Sequence, residues 1–191
     1  MNFMNPYAQW AGNNGAPFGD PPTRGALPPA NLESGTILTF CLPYPVLSGN
    51  VTGPGQKVYF TIQTTAEATT IFQREEPISR IHWSNPTMVE ARGVPASRPA
   101  SQFLALSSDR KYRTMVLGNK RYYWTPYSDG TYLFDGPPGQ IMNQRYAKMQ
   151  AIPVSRPTTV TLEISSDAVH NGLLEPCILA ALLLWGGRNI D

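Results

Sequence analysis

From Thr36 onward, apolar and polar residues alternate in short runs. TILTFCL is followed by KVYFTIQ, in which Val58, Phe60 and Ile62 share one parity, then by ATTIFQ, then by PISRIHWS, in which Ile81 and Trp83 share one. Successive strand side chains point to opposite faces, so a period of two marks strands with one face on a core and the other in water. Residues 85–100 read as a loop or a broken sheet edge. Beyond them SQFLALS, KYRTMVL, KRYYWTP, TYLFD, QRYAKMQAI and PTTVTLEI resume the alternation. The pattern predicts roughly ten to twelve antiparallel strands.

The connections carry turn chemistry. Gly118-Asn119 supplies the positive φ of a two-residue hairpin, which pairs Leu117 with Lys120, Met115 with Tyr122 and Arg113 with Trp124. Asp129-Gly130 and Gly136-Pro137-Pro138-Gly139 close the next two connections, and Ser48-Gly49-Asn50 and Gly53-Pro54-Gly55 read as loops. The glycines of these loops do not have phosphate-cradle spacing.

The alternation ends at Ile178–Trp185, where eight consecutive residues are apolar. Ala180, Ala181 and Leu182 to Leu184 favour a helix, Pro176 suits its first turn and Gly186-Gly187 stops it. Such a helix is about 17 Å long, too short for the roughly 30 Å core of a bilayer. It has no polar face, which is the mark of a helix covered by protein on every side. Burying Ile178, Leu182, Leu183, Leu184, Trp185 and their neighbours stabilises the fold by on the order of 10 kcal/mol, an upper bound. The expected fold is all-β with one helix, a barrel of strands enclosing this C-terminal segment. A helix packed on one side of an ordinary sheet is the alternative.

Composition sharpens the outline. Nineteen prolines and sixteen glycines divide the chain into short segments, which suits strands and turns. Residues 1–33, rich in Asn, Gly, Pro and Ala, lack a hydrophobic period and read as a disordered tail, with Phe3, Tyr7, Trp10 and Phe18 as contacts for a partner or for the barrel. Residues 34–191 form one domain. With 15% charged residues and a net charge of +2, no nucleic-acid partner is expected. Cys41 and Cys177 are distant in sequence, and no disulfide framework follows. The first residues lack a basic start and an apolar stretch, so an intracellular protein, peripheral at most to a membrane, is expected.

In order along the chain stand Thr69-Thr70-Ile71-Phe72, Arg80-Ile81-His82-Trp83, Tyr122-Tyr123-Trp124 and the apolar Leu173 to Trp185 segment. This order resembles a fungal family of domains of unknown function. That family in turn looks like the tubby C-terminal, LURP-one and phospholipid-scramblase group. The resemblance covers roughly residues 36 to 188 and implies a β-barrel around a hydrophobic helix. The chain departs from it at Pro176, and its tail lacks the lipid-modified cysteine clusters of scramblases.

Catalytic chemistry is sparse. His82 and His170 are far apart, and no metal-ligand or nucleophile motif occurs, so neither catalytic residues nor cofactors nor metals are expected. Alternation turns His82 away from Ile81 and Trp83, which predicts a solvated or hydrogen-bonded imidazole. Arg74, Glu75 and Glu76 read as a solvated charge cluster. The richest polar feature is the hairpin carrying Arg110, Lys111, Arg113, Lys120 and Arg121. Parity places Lys111, Arg113 and Lys120 on one face, where they would grip an acidic phospholipid headgroup with Trp124 stacked on Arg113. The bland reading is that these cations keep a sheet edge soluble. A protein partner recruited through the tail is the competing function.

Overall fold

The computed structural model describes residues 37–42, 47–92, 96–139, 144–152 and 159–191. The expected tail, residues 1–33, lies outside them.

Among the described residues thirteen antiparallel strands form one sheet. They are β1 (Ile37–Leu42), β2 (Gly49–Thr52), β3 (Val58–Thr64), β4 (Ala68–Gln73), β5 (Glu76–His82), β6 (Met88–Ala91), β7 (Arg98–Pro99), β8 (Leu104–Leu106), β9 (Arg113–Leu117), β10 (Lys120–Tyr127), β11 (Gly130–Phe134), β12 (Arg145–Ile152) and β13 (Thr159–Ser165). The α-helices among the described residues are α1 (Ala100–Phe103), α2 (Ser166–His170) and α3 (Leu174–Trp185). The count exceeds the ten to twelve expected. Gly49–Thr52 reads as a loop because it holds one buried residue, Val51, and residues 85–100 conceal two short strands. SQFLALS divides between α1 and β8.

Strands adjacent in sequence pair with one another except β7 and β8, and β1 pairs with β13, so the order runs from β7 through β1 and β13 to β8. Among the described residues the ladder is open between β7 and β8. Those two edges are nonetheless joined by α1 alone, which spans about 6 Å, little more than the roughly 4.8 Å between paired strands. The end of β7 and the start of β8 therefore lie near each other, although no ladder joins them. Arg98 of β7 donates through Nη2 to the Val116 carbonyl of β9 at 3.1 Å, and its guanidinium lies 5.1 Å from the Phe103 ring centre.

One core unites the sheet. Phe40, Val51, Phe60, Ile62, Ile71, Ile81, Val89, Leu104, Met115, Trp124, Leu133, Met149 and Leu162 belong to a single buried cluster with α3. Within α3, Cys177 through Leu184 are all buried, at most 2% exposed. Eight consecutive helical residues point in every direction around the axis, so no face of α3 is wet. A helix with one solvated side is excluded. Pro176 lies in its first turn, and Gly186-Gly187 ends it, with Gly187 at φ +68. Glu175 anchors the entry: its Oε1 accepts from Ser79 Oγ at 2.6 Å and from the Arg92 amide at 3.3 Å. No described helix is long and apolar enough to cross a membrane.

One hairpin turn, at the Arg74-Glu75 charge cluster, uses residues unusual for its backbone. β4 and β5 are joined through Arg74 and Glu75, both at positive φ (51° and 71°), the conformation that Asn-Gly pairs usually supply. Helix α2, absent from the strand pattern, is capped by the Ser165 hydroxyl, which accepts from the Ala168 amide at 3.2 Å.

Candidate functional site

Strands β9 and β10 form the hairpin that carries the basic cluster. Its register pairs Leu117 with Lys120, Met115 with Tyr122 and Arg113 with Trp124, as the Gly-Asn turn requires. Gly118 supplies the positive φ, +56°, and projects into open space. Lys120 and Arg121 are exposed beside it, and Arg110 and Lys111 are exposed before β9. Lys111 Nζ stands 3.8 Å from Asp109. The Ser107 hydroxyl donates to Asp109 at 2.7 Å and, ahead of the nearby lysine, holds its carboxyl below the usual carboxylate range.

Arg113 does not join these cations. Its parity with Met115 and Tyr122 turns it inward, and only 3% of it is exposed. A buried guanidinium needs partners. Nη1 donates to the Leu104 carbonyl at 2.8 Å and to Asp191 Oδ1 at 2.9 Å, while Nη2 donates to Asp191 Oδ2 at 2.5 Å. This bidentate pair takes Arg113 out of any headgroup site, and Trp124 opposite it is fully buried. The hairpin thus retains Arg110, Lys111, Lys120 and Arg121 as surface cations.

A second cluster, on the outer face of β10, β11 and β12, has no counterpart in the sequence reading. Tyr132 pairs with Thr125 on one side and Lys148 on the other. Its ring is perpendicular to that of Tyr127 at 5.2 Å and stacked with that of Phe134 at 6.1 Å. A register shift at Leu133/Phe134 sets Arg145 opposite Phe134, and the Arg145 guanidinium lies 5.6 Å from the Tyr132 centre. Lys148 Nζ is 5.4 Å from the same ring and 3.0 Å from Asp129, and the Tyr132 hydroxyl donates to Asp129 at 2.5 Å. Cross-strand pairing of Tyr132 with Lys148 is the signal that finds this cluster, but it needs the β11–β12 register, which the bulge obscures.

These ionisations oppose acid–base chemistry. Burial first, and Asp129 second, push the Tyr132 phenol up. Desolvation alone would raise Asp129, but the hydrogen bonds from Tyr132 and Lys148 outweigh it and hold the carboxyl low. Lys148, which burial alone would lower, is held above its ordinary value by Asp129. All three are locked away from the neutral range where a proton shuttle operates. Elsewhere, His82, its side chain 36% exposed, faces Glu90 through Nε2 at 3.4 Å, in keeping with the solvated imidazole expected, and His170 Nδ1 meets the Ser166 carbonyl at 2.8 Å. Burial pushes the Cys177 thiol far up, so it is an inert apolar group. Both cysteines are free. No group of three or more His, Cys, Asp and Glu placed to hold a metal occurs among the described residues.

No family model, curated protein or solved structure matches the chain. What the molecule does therefore rests on its own geometry: one sheet that shares its core with a buried apolar helix, and a hairpin whose turn carries exposed cations. The depression lined by Ile37, Arg145, Lys148, Glu163 and Ser165 is shallow and offers no enclosure for a substrate.

Proposed function

We propose that the chain is a non-catalytic binding module in which the sheet acts as a barrel around α3 and the tip of the β9–β10 hairpin meets acidic phospholipid headgroups. The fold supports a barrel because the two ladder ends are tied by α1 and by Arg98, and because every face of α3 is dry. The kinship with tubby-like barrels belongs to this reading and rests on the motif order alone.

One observation carries the binding proposal: Lys120 and Arg121 follow directly on an exposed turn, where their charges can meet an anionic surface without leaving a partner among the described residues. Charge distribution agrees. Residues 104–152 hold seven of the fifteen Lys and Arg but three of the thirteen Asp and Glu. Each lysine or arginine near an anionic membrane contributes about 1 kcal/mol. Reversing both tip residues, Lys120→Glu with Arg121→Glu, is therefore expected to weaken binding to phosphoinositide-containing vesicles at least roughly 30-fold in co-sedimentation. Binding that equals that to neutral vesicles, or that survives the double reversal, removes the lipid reading and leaves a protein partner as the function to pursue.

A further inference from the structure

The ladder ends at β7 and β8, and residues 186–191 lie across that gap. On the β5–β6 side, the Arg188 guanidinium sits 4.6 Å from the ring centre of Trp83, and the Thr87 hydroxyl donates to the Asn189 carbonyl at 3.4 Å. On the β8–β9 side, Asp191 holds Arg113 through both guanidinium nitrogens, and Arg113 in turn holds the Leu104 carbonyl. Between these contacts Ile190 is buried, 8% exposed, in the common core. Thr87 also accepts, through its backbone oxygen, from the Ala100 amide at 2.8 Å, so one residue ties both α1 and the segment after α3.

We infer that residues 188–191 are a clasp that keeps the two edges of the sheet together over the end of α3. Everywhere else, neighbouring strands are held by backbone hydrogen bonds, which open only with the sheet itself. At the gap, among the described residues, the ties are side chains, α1 and this segment. Gly186 and Gly187 let the chain turn from the helix axis to the rim, and Gly187 has the positive φ that such a reversal uses. Asp191 is the strongest link, because its half-exposed carboxylate is the partner of the buried Arg113 guanidinium, and losing it strands that charge in the protein. The clasp makes the gap the place where the molecule opens first and where α3 would leave. It stands whether or not the hairpin meets lipid.

Amide hydrogen exchange on the full chain tests it. In Asp191→Ala, the amides of Ala100–Leu106 are expected to exchange on the order of a hundredfold faster while those of β3 and β4, remote in the ladder, keep their native rates. Arg188 is exposed, so Arg188→Ala leaves the core intact and serves if the first variant fails to fold. It is expected to speed exchange around Trp83–Thr87 and Ala100 several-fold, again without moving β3 and β4. Equal acceleration in both regions, or no acceleration at the gap in either variant, overturns the inference.

Discussion

Gly130 shows how closely single residues are constrained here. A Cβ at this position would stand 2.5 Å from the Met149 carbonyl oxygen, and the residue has φ +153. Gly130→Ala must separate β11 from β12, and is expected to cost more than about 1 kcal/mol in urea unfolding; an unchanged midpoint would contradict this packing. The Asp129–Lys148–Tyr132 group gives a second test at this scale. Asp129 is held below its ordinary value of 3.8, so its contribution is complete above that pH and is lost as pH falls through the folded value. Lys148 is held above its ordinary 10.5, so its contribution is complete below that pH and is lost as pH rises through the folded value. The stability difference between the protein and Asp129→Asn should accordingly be flat through neutral pH and shrink below 3.8. A difference that persists undiminished into strong acid would contradict the pairing.

The elements differ in how openly the sequence declares them. Strands of five or more residues with alternating core positions, such as Val58–Thr64 and Lys120–Tyr127, are legible, and so is the register of the Gly118-Asn119 hairpin. Gly49–Thr52, Met88–Ala91 and Arg98–Pro99 are too short to establish a period, and Pro99 argues locally against a strand. They form because a neighbouring strand and a shared core supply what propensity does not. Arg113 illustrates the same divide at the candidate site. Its inward parity with Met115 is local and legible, whereas its partner Asp191 is 78 residues away, joined by the fold alone. A cation on the core-facing parity signals a buried ion pair more directly than a surface ligand site. The outer aromatic cluster escaped for a related reason, since the bulge at Leu133/Phe134 shifts the pairing that brings Arg145 to Tyr132.

For the molecule as a whole, the apolar segment Cys177–Leu184 and the sheet define each other. The segment has no polar face to leave in water, and every described strand except β7 contributes apolar residues to the one buried cluster that holds it. Glu175 fixes it at one end and the contacts of Arg188, Asn189 and Asp191 at the other. Enclosure predicts that α3 reaches solvent only when the sheet opens. Cys177, fully buried in α3, reports on this directly once Cys41 is replaced by Ser. Labelling of Cys177 by a thiol reagent should then proceed only through global unfolding, with a denaturant dependence equal to the full equilibrium slope. Labelling in native buffer at the rate of a free thiol, or with a slope near zero, would contradict a helix sheathed by the sheet.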